Sequence, residues 1–373
     1  MASPKLPNLL DSLKSGSSGA RGRGRGRGGS STGSRGLTKD RVIQRTDQDA
    51  LLSRLSAVKI GYLEDRFAHA FVDEEPPKRF PIINRGRTYV RSMAIDRLVQ
   101  SFVKVSPDQK KQIISLGAGS DTRYFRLIFS DPSLNLVYHE LDFKENTLPK
   151  VSAIQKKQSL LSAITSHRDN ATTVRIDVHE GTITSQGYNL HAVDLRQFIN
   201  PSDAPSLPNL SRDCPTLLLS ECCLVYLQPS EVSSIITTFS QHLIPPPTPI
   251  SLVLYEPIRP DDAFGRTMIT NLENRGISMP TLTVFPSLAS QRARLEEAGF
   301  NGGQSAADIK FLWERWVDEG EKERVAALEM MDEVEEWNLL AQHYCVAWGW
   351  RSADNDHDAF LRSWGNLPFQ NDK

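Results

Sequence analysis

Short runs of consecutive, mostly apolar residues limit the fold most: Ile113–Leu116, Leu136–Leu141, Leu190–Val193, Thr216–Ser220 and Ile250–Tyr255. A strand buried on both faces loses the apolar–polar alternation of a half-exposed sheet and reads as a continuous apolar stretch. Helical patterns separate these runs at Asp121–Phe129, after Gln228-Pro229, at Asp261–Arg275 and at Ser287–Ala298. Gly276 and Gly299 are the expected stops of the last two, and Ser230 is the expected cap of the helix after Gln228. Strand–helix alternation predicts an α/β fold, with a mostly parallel sheet covered by helices on both faces. The alternating segment His343–Arg351 follows a helix and is expected to join that sheet antiparallel.

Four of the runs lead into glycine or an acid: Gly117, Asp142, Asp194 and Glu221. In an open parallel sheet, ligands bind at the carboxyl ends of the strands. The first tip reads "LGAGSDT", a GxG without the third glycine of a dinucleotide fingerprint, and no GK[ST] occurs in the chain. Acids around the loop repel phosphates. S-adenosylmethionine has no phosphate and carries a sulfonium cation, so it suits such tips. Glycines let a backbone approach it closely. Asp142 can accept both ribose hydroxyls. Asp194 can receive the adenine amino group, Leu195 can cover the ring, and Glu221 closes the fourth tip. Other chemistries find no support. "YHELDF" lacks the second histidine of a zinc helix, and no GxSxG elbow is present. Cys222 and Cys223 lie in an apolar run, where thiols keep high pKa values and make poor nucleophiles. No metal site is expected.

Charge divides the chain. Residues 1–45 hold ten Lys/Arg and two Asp, a net +8; against an overall −1, the remainder carries about −9. Residues 1–40 form a Gly-, Ser- and Arg-rich tail with "RGRGRGRGG" at 21–29, and such composition predicts disorder. The tail reads as a solubilising segment or as an RNA contact through residues 21–29. The folded domain is expected over 41–353, followed by a C-terminal tail, 354–373. Its first helix begins near Asp47, with Leu51, Leu55 and Val58 on one face. Phe71–Gly86 reads as a proline-broken loop. Val90, Ala94, Leu98 and Phe102 then mark a second helix beside Arg91. The acidic stretch Val317–Trp337 reads as one helix with a solvated face. Four cysteines in 373 residues predict a reduced, intracellular protein, in the cytoplasm or nucleus. No apolar run reaches membrane-spanning length, "MASPKLPNLL" lacks a secretory pattern, and a monomer is expected.

"LGAGSDT", "YHELDF", "AVDLR" and "LLLSECCLVYL" resemble motifs of the leucine carboxyl methyltransferases. The likeness runs from about Leu51 to Trp350 and includes "AVKIGYLED", "PIINRGRTYVR", "FGRTMITNLENRG" and "HYCVAWGW". It implies a class I S-adenosylmethionine-dependent methyltransferase with a Rossmann-like sheet and N-terminal helices forming a lid. It further implies methylation of the C-terminal leucine carboxylate of the type 2A protein phosphatase catalytic subunit. Arg91, Gly117, Asp142, Asp194, Leu195 and Glu221 match the family's cofactor positions. Arg54 matches a basic one, and Tyr226 matches a tyrosine near the transferred methyl. "NRGRTYVR" is one residue longer than the family pattern, which leaves the cofactor arginine open between Arg87 and Arg91. A methyltransferase acting on a tRNA-linked carboxylate and a non-enzymatic RNA-binding protein are the alternatives.

Overall fold

A computed structural model of the chain describes residues 39–72, 79–165, 174–351 and 359–371. The Arg/Gly-rich segment 21–29, with the rest of 1–38, lies outside the described residues. Nine strands form one sheet: β1 Lys111–Leu116, β2 Leu136–Asp142, β3 Arg175–Asp177, β4 Thr182–Thr184, β5 Tyr188–Ala192, β6 Thr216–Glu221, β7 Ile250–Pro257, β8 Gly303–Asp308 and β9 Tyr344–Arg351. Their order is β3-β4-β5-β2-β1-β6-β7-β9-β8. β5, β2, β1, β6 and β7 run parallel, and β9 inserts antiparallel between β7 and β8.

The continuous apolar runs arise because both faces are covered. Ile113, Leu217, Leu219 and Val253 enter one core, whereas Ile114, Leu116, Leu218 and Leu252 enter the other. β9 was legible from its alternation. The strand β8, "GQSAAD", was not, since its small and polar residues carry no strand pattern. β3 and β4 are three residues each, too short to show a period.

The N-terminal part departs from expectation in an informative way. Thr46–Ile60 is a helix with Leu51 and Leu55 buried, and it stops at Gly61 with φ 99°. The predicted loop is helical from Pro81 onward. Ile83–Val90 forms a π-helical stretch that runs directly into the helix Arg91–Lys104. A π turn adds a residue to the ladder without breaking it.

Further corrections concern helix ends and the C-terminal third. Gln228 rather than Ser230 caps the helix Pro229–Thr237, its N–H donating to Glu231 Oε2 at 2.8 Å. Pro229 fixes the first helical position and so places Ser230 inside the helix. The acidic stretch is two helices, Glu319–Ala326 and Val334–Gln342. It is not merely solvated: Glu321 accepts from Tyr89 Oη at 2.6 Å, and Arg324 donates to the Gly61 carbonyl at 2.6 Å. The segment read as a C-terminal tail carries the helix Ala359–Trp364. There Phe360 stacks on Phe102 at 4.8 Å, and Trp364 Nε1 donates to the Leu98 carbonyl at 3.0 Å. Among the described residues, no helix is long and apolar enough to cross a membrane.

Candidate active site

Sheet order places the polar strand tips side by side. β5, β2, β1 and β6 are consecutive neighbours and parallel, so Asp194, Asp142, the Gly117–Gly119 loop and Glu221 fall in one row at their carboxyl ends. At about 4.8 Å per strand, the row spans roughly 14 Å. That suits an extended ligand.

The glycine loop is built around left-handed backbone. Gly117 and Gly119 have φ of 68° and 48°. A Cβ on Gly117 would collide with Cys223 Sγ, and one on Gly119 with Asp47 Oδ1. Asp142 fixes the loop from below. Its Oδ2 accepts the Gly119 N–H at 2.6 Å, and its Oδ1 accepts the Phe143 N–H at 2.7 Å and Asn146 Nδ2 at 2.9 Å. Burial pushes the Asp142 carboxyl up to about 6; the Gly119 N–H opposes this, and the nearby charge of Asp47 adds to it. Lys150 Nζ donates to the Gly119 carbonyl at 3.0 Å and the Asp121 carbonyl at 2.9 Å, while pairing with Glu140 at 2.5 Å.

Asp194 sits two residues past β5 and caps the short helix Leu195–Phe198. It accepts from the Arg196 N–H at 2.9 Å and from the Arg196 guanidinium at 2.6–3.0 Å. Arg196 also binds Asp40 at 2.8 Å, so the folded part begins before residue 41. Leu195 is buried beside them. Glu221 takes Arg123 at 2.9 Å and Arg91 at 3.4 Å. Arg54 lies deeper, its Nε on Asp65 Oδ2 at 2.6 Å and its Nη1 3.4 Å from Ser92 Oγ. It is held by Asp65 rather than by the strand tips.

Both arginines left open by the sequence reach the site. The charges of Arg91 and Arg87 both act on Cys222 and Tyr255, lowering their pKa values against the effect of burial. Arg91 is 5.2 Å from the Tyr255 ring centre, and Arg87 is 5.0 Å from that of Tyr344. Tyr226, on the turn Leu224–Tyr226 after β6, neighbours Cys222, Tyr344 and Arg87. Burial raises its phenol far above the ordinary range. Cys222 has φ 49°, and burial pushes its thiol up to about 11, which keeps it an unreactive thiol.

Several residues of this site were missed in the sequence. Asp47 Oδ1 accepts both the N–H and Oγ of Ser120 at 2.8 Å, tying the first lid helix to the glycine loop. Arg123 is buried against Asp96 at 2.7 Å, Asp121 at 2.5 Å and Glu221 at 2.9 Å. No local pattern marked Arg123: it opens the helix Arg123–Ser130, and a buried cation needs carboxylates, here supplied largely by other elements.

A glycine loop on the first parallel strand, acids on its neighbours' tips and a reversed strand wedged near one edge define the class I methyltransferase fold. The leucine carboxyl methyltransferase family model matches residues 31–240, and this chain belongs to that family. It is 50% identical to leucine carboxyl methyltransferase 1 of Emericella nidulans, covering 99% of each chain. It is 50% identical to the same-named protein of Aspergillus fumigatus, again over 99% of each. The leucine carboxyl methyltransferase 1 homolog of Arabidopsis thaliana is 39% identical, over 82% of this chain and 88% of that protein.

Proposed function

We propose that this chain methylates the α-carboxylate of the C-terminal leucine of the type 2A protein phosphatase catalytic subunit, with S-adenosylmethionine as donor. The products are a leucine methyl ester and S-adenosylhomocysteine. The observation that carries the reading is the row formed by Asp194, Asp142, the glycine loop and Glu221, in a chain of this family. Acceptors without a phosphate cradle fit a nucleoside joined to a cationic amino acid. Asp142 would hold the ribose, Asp194 and Leu195 the adenine, and Arg91 the amino-acid carboxylate. Bound there, the cofactor supplies an electrophilic methyl group.

The residues around it need supply no general base. A C-terminal carboxylate has a pKa of about 3.5 and is already ionised at neutral pH. The site's task is to orient that carboxylate and exclude water, since charge is neutralised as the ester forms. Beside the Glu221 tip, Tyr255 stacks on Tyr344 at 5.5 Å, with Tyr226 close by. The test is incubation with labelled S-adenosylmethionine and purified catalytic subunit, followed by mass analysis of the terminal peptide. One added methyl on the terminal leucine supports the reading; an unmodified terminal peptide refutes it.

A further inference from the structure

Two carboxylates must be managed in such a site, that of the methyl donor and that of the acceptor. Two arginines stand on one face of the helix that spans the π turn, and their surroundings differ. Arg91 faces Glu221, which Arg123 ties to Asp121 beside the glycine loop. Arg87 lies further along the sheet, over the ring of Tyr344 on β9. Among the described residues, Arg87 makes no ion pair and no hydrogen bond. A guanidinium cannot shed its proton, so a half-buried one without a counter-ion is held at a cost unless an anion visits it.

A second orphan lies beside it. The hydroxyl of Tyr255 is buried and has no hydrogen-bond partner among the described residues. Tyr255 stacks on Tyr344 at 5.5 Å with the rings 17° apart. The sheet order runs β5-β2-β1-β6-β7-β9, so the tips of β7 and β9 come directly after the Glu221 tip. A donor molecule laid across the first four tips leaves its acceptor at the next two.

We propose that Arg87 and the Tyr255 hydroxyl form the receptor for the acceptor's terminal carboxylate, while Arg91 serves the cofactor. This rests on the functional reading above and assigns the two arginines separate ligands. Arg87 and Arg91 are four residues apart on continuous helix, which sets them on one face.

The test compares the wild type with Arg87→Leu, Arg87→Lys and Tyr255→Phe. The readings are calorimetric binding of S-adenosylmethionine and the KM for intact phosphatase catalytic subunit. Arg87→Leu should raise that KM roughly tenfold or more, with cofactor affinity held within about twofold, because a charged hydrogen-bonded pair is lost from one ligand only. Arg87→Lys should restore part of the loss, since it keeps the charge but not the fork. Tyr255→Phe should raise KM by roughly tenfold or more, the scale of one hydrogen bond to a charged acceptor. If Arg87→Leu does not fold, the Lys and Phe variants carry the same comparison. An unchanged KM, or a tenfold loss of cofactor affinity with KM intact, overturns the assignment. No transfer by the wild type is a different result and refutes the functional reading itself.

Discussion

Asp142 serves two ends that pull apart. Its carboxylate holds the Gly119 N–H, and burial pushes its pKa up to about 6. The native pKa lies above the unfolded value of 3.8, so the folded protein binds that proton more tightly. As pH rises from about 4 to 6, ionisation of Asp142 therefore removes up to about 3 kcal/mol of stability. The ionised form is the one that accepts hydroxyls. Cofactor affinity is expected to fall as pH drops below about 6, approaching tenfold per unit. Asp142→Ala should weaken binding by about 1.5–3 kcal/mol. Calorimetry from pH 5 to 8 on both proteins checks this, and the variant should lose the acid-side decline. At this scale the acids were legible because each ends an apolar run at a strand tip, whereas Glu140 and Glu256 inside strands are held by ion pairs. Arg123 and Asp47 were not, because their partners lie on other elements: Asp96 and Glu221 for one, Ser120 for the other.

Among the elements, the lid is the part that sequence patterns describe least well. Its first helix is fastened by a few polar contacts rather than by a wide apolar stripe. Asp47 grips Ser120, Arg54 meets Asp65, and Asp65 also takes Thr122 Oγ1 at 2.5 Å. The first and last of these end on the glycine loop or just past it. Polar ties of about 1 kcal/mol each leave such a helix free to open locally while the sheet stays intact. Asp47→Ala should speed hydrogen exchange in the first turn of Thr46–Ile60 roughly tenfold, leaving β1 and β6 unchanged. Equal acceleration in both would mean that the lid and the sheet open together. The strands and major helices were readable because burial on both faces imprints long apolar runs. The π turn was not, since prolines and polar residues at 76–85 mimic a loop. β8 was hidden for a related reason: Trp350 covers Gly303, where a side chain would not fit, so small residues replace the usual strand pattern.

For the whole molecule, acid sensitivity is written into the sheet interior. His139 on β2 and His191 on β5 face each other, Nδ1 to Nε2 at 3.1 Å, with the rings nearly parallel. Burial first, and for His139 then the charge of His191, lowers their pKa values to about 3 and about 4. Both native values lie below the unfolded value of 6.5, so the unfolded chain takes up the protons first. The stability they contribute is present above pH 6.5 and is lost as pH falls toward 4, at about 1.4 kcal/mol per ring per pH unit. Asp142, Asp47 and Glu140, whose carboxyls burial raises, act in the opposite direction. In urea unfolding between pH 6 and 5, His191→Phe should remove about 1.4 kcal/mol per pH unit of acid-side destabilisation relative to the wild type. An unaltered slope would place the acid sensitivity elsewhere.

The central claim is that the nucleophile is a carboxylate. Its most direct measurement is the chemical nature of the transferred methyl, read on the phosphatase catalytic subunit with a free and with an amidated C-terminus. A carboxylate acceptor gives an ester, so mild base should release labelled methanol from the product, and the amidated subunit should take up no label. A base-stable methyl group, or equal transfer to the amidated subunit, would contradict the account.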